Sequence, residues 1–143
     1  MKIGQDCIGV SVFALIFNDK NEVLLVNHKK TEKKPKGFSE CWSMPGGTVE
    51  FGETCAEALQ REIKEELGMK TYEEKLINYN DFIFDNKHWT GINFQAKTND
   101  TPVIMEPDKI SEIKFFKLDN IPTNLSEFCK ECLEIIKMEN NAY

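Results

Sequence analysis

The stretch that decides the fold is Gly47–Met69, which reads GTVEFGETCAEALQREIKEELGM. Its second part predicts an α-helix from Thr54 to Leu67. Thr54 and Glu57 form a capping-box pattern at the start of this helix, and Gly68 supplies the stop at its C-terminus. On a helical wheel of about 100° per residue, one apolar stripe should face a sheet. This predicted stripe consists of Ala56, Leu59, Ile63 and Leu67.

Three glutamates lie together on one flank of the stripe. Glu62, Glu65 and Glu66 have the i, i+3 and i+4 spacing that brings side chains together on a helix. Like charges at this spacing repel, so the cluster favours a cation among them, and hard oxygen ligands suit Mg²⁺ or Mn²⁺. On an arbitrary helix, a solvated charged face is the commoner explanation. The choice between the two explanations therefore depends on the surrounding residues.

Those surroundings match the signature of the Nudix hydrolases. Every position of that pattern is filled, in the form Gly47, five residues, Glu53, seven residues, Arg61-Glu62-Ile63, one residue, Glu65-Glu66, one residue, Gly68-Met69. The preceding Trp42–Gly46 also resembles the usual lead-in to the motif. The chain thus resembles the Nudix family over this motif, and the order of its other elements is compatible with the same fold.

The resemblance implies metal-dependent cleavage of a phosphoanhydride bond. Glu62, Glu65 and Glu66 would hold Mg²⁺, with Mn²⁺ as the alternative ion, and a backbone carbonyl at Gly46 or Gly47 would reach the metal where glycine allows a sharp turn. Phosphoryl transfer of this kind needs neutralised phosphate oxygens and an aligned water.

Two further roles follow from the same resemblance. One of the three glutamates would act as general base; the choice among them stays open, with Glu65 preferred. Arg61 would pair with Glu53 and keep the catalytic helix in register.

Several candidate residues lie outside the motif. A further acid is expected from the loop before the last strand; of Glu106, Asp108 and Glu112 we choose Glu112, the alternative being ordinary loop polarity. His28 and Lys29 end a strand where a cationic contact to phosphate would be useful, although a solvated strand end explains them equally well. Stacking on a nucleobase requires aromatic residues, and packing is the competing role for each candidate. These candidates are Phe38, Trp89 and Phe128.

The rest of the chain predicts an α+β domain spanning residues 1–143, in which helices flank a mixed β-sheet as in a Nudix-type α/β/α sandwich. Pro45-Gly46-Gly47 reads as a sharp turn and Lys29–Glu40 as a mobile loop, and a second loop covers Thr98–Lys109. The other predicted elements are strands at Cys7–Phe17, Glu22–His28, Thr71–Phe84, His88–Lys97 and Glu112–Lys117, and a closing helix at Asn124–Met138.

Charge and cysteine usage exclude some classes of function. The formal net charge of -6 disfavours duplex nucleic acid and anionic membranes as partners, whereas a small nucleotide remains compatible if cations neutralise it. The five cysteines are odd in number and scattered, which favours a reducing cytoplasm over a disulfide framework. Cys129 and Cys132 form a C-x-x-C without a second ligand pair, which favours packing over zinc. With no signal peptide and no apolar run of about 18 residues, we expect a soluble cytoplasmic protein.

The motif indicates the reaction and leaves the substrate open. Lys70–Thr101 contains no proline of the kind found in ADP-ribose-preferring members, and neither Asn86 nor Lys87 is the tyrosine of dinucleoside-polyphosphate members. The short layout with Glu106–Lys109 resembles the MutT-like pyrophosphatases, which release a nucleoside monophosphate and pyrophosphate. The runner-up substrate is a nucleoside diphosphate linked to a sugar. A ligand-sensing regulator is disfavoured by the intact motif, and a homodimer is left open.

Overall fold

The computed structural model describes residues 1–29 and 41–141. Within these ranges the chain forms seven strands and two helices. In chain order they are β1 (Gly9–Phe17), β2 (Glu22–His28), β3 (Trp42–Ser43), β4 (Gly46–Thr48), α1 (Cys55–Leu67), β5 (Tyr72–Phe84), β6 (Lys87–Lys97), β7 (Ile110–Lys117) and α2 (Glu127–Asn141).

The seven strands form one mixed sheet around β1. Strand β6 runs parallel to β1 through nine residue pairs, from Gly9↔Trp89 to Phe17↔Lys97. Strand β5 lies antiparallel on the outer side of β6. On its other side β1 changes partner midway, because its last residues pair with β2 and its earlier residues pair with β4. Strand β2 in turn pairs with β7 and β3. This change of partner places the short β4 beside the middle of the sheet.

One helix covers each face of the sheet. Successive side chains of a strand point to opposite faces, so β1 contributes to two cores. Val12, Ala14 and Ile16 pack with Leu59, Ile63 and Leu67 of α1. Leu15 and Phe17 pack on the opposite face with Cys129, Cys132, Leu133 and Ile136 of α2. The predicted α/β/α sandwich with a mixed sheet is therefore confirmed.

Helix α1 begins and ends where the sequence predicts. The Thr54 Oγ1 accepts a hydrogen bond from the Glu57 backbone N–H at 3.1 Å. Gly68 ends the helix in the left-handed conformation, with φ at 63°, and its N–H donates to the Lys64 carbonyl. These are the two caps that a capping box and a C-terminal glycine supply.

The buried side of α1 differs from the predicted stripe. Ala56 is exposed, and Ala58 is buried in its place. Glu66 is also buried, at 6% exposure. The physical reason is that α1 packs against β4 as well as against β1, so its buried side extends onto the flank that carries the glutamates. Part of the acidic flank is therefore inside the protein.

Four other expectations need correction or completion. The predicted turn at residues 45–47 is followed at once by pairing, since Gly46–Thr48 forms β4 against β1. Strand β7 begins at Ile110 rather than at Glu112, and α2 begins at Glu127 rather than at Asn124. Of the predicted loop, residues 30–40 lie outside the described part of the chain. Neither helix in the described ranges has the length and apolarity that crossing a membrane requires.

The C-x-x-C pair on α2 belongs to the core. Cys129 and Cys132 are buried and free, as predicted from packing. Burial raises the pKa of both thiols, for Cys132 to about 12, so neither is readily available as a thiolate for metal binding or redox chemistry.

The packing of α1 yields a stability prediction. Ile63 is completely buried between α1 and the sheet, whereas Leu76 on β5 is 60% exposed. We expect Ile63→Ala to lower the free energy of unfolding by about 2–5 kcal/mol, because it leaves a cavity as well as losing apolar contact. Leu76→Ala should cost less than about 1 kcal/mol. Urea unfolding measures both, and equal losses would contradict the described packing.

Candidate active site

The glycines of β4 allow α1 to approach the sheet closely. A Cβ atom built at Gly47 would lie 2.3 Å from the Glu62 Cδ, so the carboxylate of Glu62 lies directly against this strand. A Cβ at Gly46 would lie 1.9 Å from the Val12 carbonyl oxygen. Any side chain at either position would displace a neighbour. Gly47 therefore lies against a glutamate of the motif and Gly46 against β1, and the role predicted for their carbonyls at a metal stays a prediction.

Glu66 is the most deeply buried acid of this region. Its carboxylate accepts a hydrogen bond from the backbone N–H of Gly46, and its Oε2 has no hydrogen-bond partner among the described residues. Burial raises the pKa of Glu66 to about 8, and the negative charges of Glu62 and Glu106 contribute in the same direction. Burial likewise raises the pKa of Glu62, although Arg61 opposes the shift. Both carboxylates lie where ionisation is unfavourable without a cation.

The loop before β7 brings Glu106, and not Glu112, to these carboxylates. The charge of Glu106 acts on both Glu62 and Glu66. Backbone hydrogen bonds dock its loop on the end of α1, from the Met105 N–H to the Glu66 carbonyl at 2.9 Å. Glu112 instead lies exposed on β7, where its backbone pairs with Asn27 of β2. Strand β7 begins two residues earlier than predicted and places Glu112 within the strand and not in the loop before it, and the role predicted for Glu112 stays a prediction.

Arg61 connects α1 to the segment between β4 and the helix. Its guanidinium donates to both carboxylate oxygens of Glu53, at 2.7 and 3.0 Å, and to the Thr48 carbonyl oxygen at 2.9 Å. The predicted pairing of Arg61 with Glu53 is confirmed. The same bond lowers the pKa of Glu53 to about 2, with help from the Glu50 backbone N–H. Glu53 therefore stays ionised in any ordinary buffer.

The remaining nitrogen of the guanidinium contacts the acidic flank of α1. Its Nη1 lies 3.0 Å from Glu62 and 3.3 Å from Glu65. The Glu65 side chain is 52% exposed, and it is turned towards Arg61. Within residues 1–29 and 41–141, no three acidic, cysteine or histidine side chains already stand in a metal-ligating arrangement. The donor set nevertheless fits Mg²⁺ or Mn²⁺, since it offers hard oxygens with raised pKa values and the unpartnered Glu66 Oε2.

An aromatic pocket of about 400 Å³ borders the same strand. It lies on the α2 side of the sheet, and Gly46, Gly47 and Thr48 form one edge of it. Strand β4 therefore contacts the carboxylates of α1 on one side and lines the pocket on the other. The other lining residues are Ser11, Phe13, His28, Ser43, Met44, Asn80, Phe82, Trp89, Gly91, Ser126 and Phe128.

The pocket brings together three of the five predicted substrate-binding residues. His28, Trp89 and Phe128 all line it. Lys29 is exposed and does not line it, because its backbone N–H bonds to the Lys109 carbonyl and continues the pairing with β7. Phe38 lies outside the described residues.

Phe13, Asn80 and Phe82 are among the lining residues that the sequence did not predict. The pattern that could have identified them is the alternation of side chains between the two faces of β1 and β5. On β5 this alternation puts Asn80 and Phe82 on the same face of the sheet. That signal could be used only once the pairing of β1 with β6 and of β6 with β5 was known.

Comparison with known proteins assigns the family. The family model described as "NUDIX domain" matches residues 8–134. The chain belongs to the Nudix family. Its fold agrees with that of a MutT Nudix hydrolase from Burkholderia pseudomallei, with a TM-score of 0.79 and 30% identity. That match covers 90% of this chain and 98% of the other.

Curated relatives differ in the substrates that their names state. An ADP-ribose pyrophosphatase from Methanocaldococcus jannaschii is 35% identical over 115 residues, which is 79% of this chain and 64% of that protein. A human 8-oxo-dGDP phosphatase is 40% identical over 67 residues, 47% of this chain and 19% of that protein. This Nudix chain therefore spans less than two thirds of the length of these relatives.

The environment of Glu66 predicts a pH dependence of stability. A carboxyl group whose pKa rises on folding favours the fold while it is protonated, and this contribution is lost as pH rises from its ordinary pKa of 4.5 towards about 8. We expect the metal-free protein to lose roughly 1–3 kcal/mol more over that interval than Glu66→Gln does, since glutamine cannot ionise.

Urea unfolding in the presence of a chelator measures this difference. Glu134→Gln, which removes an exposed glutamate from α2, serves as the matched control and should follow the unsubstituted protein. Parallel pH profiles for Glu66→Gln and the unsubstituted protein would contradict the described burial.

Proposed function

We propose that this chain is a Mg²⁺- or Mn²⁺-dependent pyrophosphohydrolase that converts a nucleoside triphosphate into a nucleoside monophosphate and pyrophosphate. The observation that carries the proposal is the sharing of β4 between the buried carboxylates and the aromatic pocket. A diphosphate lying across this strand would extend from the acidic side of the site to the base-sized pocket.

The acidic side supplies the ligands. Glu62, Glu66 and Glu106 would hold the cations together with a backbone carbonyl of Gly46 or Gly47, and Glu65 would join them by turning away from Arg61. Bound there, the cations would neutralise the phosphate oxygens and lower the pKa of a water molecule. This assignment explains why the protein tolerates two carboxylates with raised pKa values side by side.

Hydrolysis requires a proton acceptor for the attacking water. The oxygen of the attacking water forms a bond to phosphorus and the anhydride P–O bond breaks. Pyrophosphate leaves with the electron pair of the broken bond. Glu65 is the preferred acceptor of the water's proton, because it is the exposed member of the acidic flank. Arg61 and Glu53 act as positioning residues, since their paired hydrogen bonds fix the β4–α1 segment on the helix.

The pocket supplies the binding site for the base. Ligand pockets are typically apolar with a few placed polar groups, and flat aromatic rings favour stacking. Phe13, Phe82, Trp89 and Phe128 provide such walls, and His28 adds a polar group. A pocket of about 400 Å³ is suited to one nucleobase. We therefore infer that the base is bound here and that the phosphates point towards α1.

ADP-ribose or a nucleotide sugar is the second candidate substrate. It is favoured by the 35% identical ADP-ribose pyrophosphatase from Methanocaldococcus jannaschii, and by the likeness to a UDP-X diphosphatase at 28% identity with a TM-score of 0.68. The nucleoside triphosphate is preferred because the MutT Nudix hydrolase of Burkholderia pseudomallei matches over nearly its whole length. Both reactions would use the same carboxylates.

A substrate panel tests the reaction. With Mg²⁺, we expect monophosphate and pyrophosphate from at least one nucleoside triphosphate, separated by chromatography. Glu66→Gln should reduce kcat by at least about 100-fold, because one charged ligand of the cation is lost while the shape is kept. A fold check by circular dichroism accompanies it. Sugar phosphate as the sole product would favour the second candidate, and near-normal turnover by Glu66→Gln at saturating Mg²⁺ would refute the assigned role.

The choice of Glu106 over Glu112 has a test independent of turnover. A ligand that binds only the folded state raises the melting temperature, so Mg²⁺ should stabilise the unsubstituted protein. Glu106→Gln should reduce this Mg²⁺-dependent shift by at least about half, whereas Glu112→Gln should leave it unchanged. Differential scanning fluorimetry across a Mg²⁺ titration measures both variants. If Glu112→Gln reduced the Mg²⁺-dependent shift in melting temperature and Glu106→Gln left it unchanged, Glu112 would be the ligand instead.

A further inference from the structure

Asn80 presents a buried hydrogen-bond donor in the aromatic pocket. Its Nδ2 is inaccessible to solvent and has no hydrogen-bond partner among the described residues, although the side chain lines the pocket. Buried polar groups in folded proteins are normally paired, so an unpaired one calls for an explanation. We propose that Asn80 selects nucleobases that carry a keto group, by donating a hydrogen bond from Nδ2 to the carbonyl oxygen of the base. The inference rests on the function proposed above.

The position of the Asn80 oxygen determines which half of the amide is free. A Cβ atom built at Gly91, the residue paired with Asn80 across β5 and β6, would lie 2.6 Å from Oδ1. The oxygen therefore lies over the Cα of Gly91, where it faces a C–H group and where a side chain would displace it. With the oxygen held there, the donor half of the amide remains without a partner. The group that completes it must be an acceptor.

The pocket also holds a rigid flat surface on which a base can lie. A Cβ atom at Gly4 would lie 2.3 Å from the Trp89 Nε1, and one at Gly9 would lie 2.4 Å from its Cε3. The backbone at both glycines therefore packs directly against the indole. The N-terminal segment is itself attached to β6, because the His88 N–H donates to the Gly4 carbonyl at 2.7 Å. Trp89 is thus held in place before any ligand binds, which favours stacking of a planar ring.

A planar ligand with an acceptor on its edge satisfies both features. Guanine and uracil present carbonyl oxygens, whereas adenine and cytosine present amino groups at the corresponding positions. An amino group facing Nδ2 would leave two donors opposed and unpaired, which disfavours the complex more than a missing contact does. The pocket should therefore discriminate between keto and amino bases, and should tolerate exchange of purine for pyrimidine better.

The experiment compares kcat/KM for matched substrate pairs. The triphosphates of guanosine and 2,6-diaminopurine riboside differ mainly in the keto or amino group at position 6, and those of uridine and cytidine differ in the same way at position 4. We expect the unsubstituted protein to prefer the keto member of a pair by about 10- to 100-fold.

Two variants assign this preference to the amide. Asn80→Leu, which keeps a similar volume without a donor, should bring the keto-to-amino ratio close to one. Asn80→Asp, which offers only acceptors, should shift the ratio towards the amino member. Asn120→Asp introduces the same charge on an exposed residue that does not line the pocket, and it should keep the original ratio.

The outcomes separate this inference from the proposed function. Turnover of triphosphates with no keto preference, or an unchanged ratio in Asn80→Leu, overturns the role of Asn80 and leaves the pyrophosphohydrolase intact. Failure to cleave any nucleoside triphosphate overturns both proposals. The substrate pairs need no variant, so the test remains decisive if Asn80→Leu fails to fold.

Discussion

The bidentate pair between Arg61 and Glu53 is the interaction on which the site depends. It joins α1 to the segment that follows β4, and the bond from Arg61 to the Thr48 carbonyl reaches the end of β4 itself. The planar guanidinium can make all of these bonds at once, which a lysine ammonium cannot do with the same geometry. Because Glu62 follows Arg61 directly in the chain, the position of the glutamates on α1 is fixed by the same residue that contacts the end of β4.

The acidic flank illustrates a conflict between stability and function. Burial of Glu62 and Glu66 raises the pKa of both carboxyl groups, and the nearby Glu106 adds further repulsion. Natural sequences usually avoid such arrangements, and exceptions concentrate at sites where the energy is recovered by a ligand. Arg61 compensates for Glu62 and Glu65 but does not reach Glu66. The positive charge that acts on Glu66 is instead that of Lys109, and it does not offset the effect of burial on the pKa of Glu66.

Local features of the fold could be predicted from the sequence, and long-range ones could not. The caps at Thr54 and Gly68 and the spacing of the three glutamates depend only on neighbouring residues, and the structure contains both caps. The exchange of Ala56 for Ala58 on the buried side of α1 depends on the contact with β4, which the helical period alone does not reveal. The placement of Glu112 within β7, with Glu106 in the loop before it, depends on where β7 begins, and strand ends are poorly specified by local sequence.

The residues of the pocket also could not be predicted from local sequence alone. Phe13 lies on β1, whereas Asn80 and Phe82 lie on β5, and they meet only because β1 runs parallel to β6 while β5 runs antiparallel to it. Their types are ordinary for a half-buried sheet, so nothing in the sequence distinguishes them from core residues. Trp89 and Phe128 could be named in advance as large aromatic residues, but that reasoning identified residue types and not their neighbours.

The carboxylates and the pocket lie on different sides of β4. Under the proposed function, this separation would let one fold combine a fixed reaction with variable substrates. Arg61 and the glutamates of α1 belong to the motif between Gly47 and Met69, whereas most of the pocket residues outside β4 come from β1, β5, β6 and α2. Substitutions of the pocket residues on β5 can alter the pocket without changing the residues that pack against α1, because β5 contributes none to that cluster. Under the proposed function, the motif would constrain the bond that is cut, and residues that the motif does not contain would decide the identity of the base.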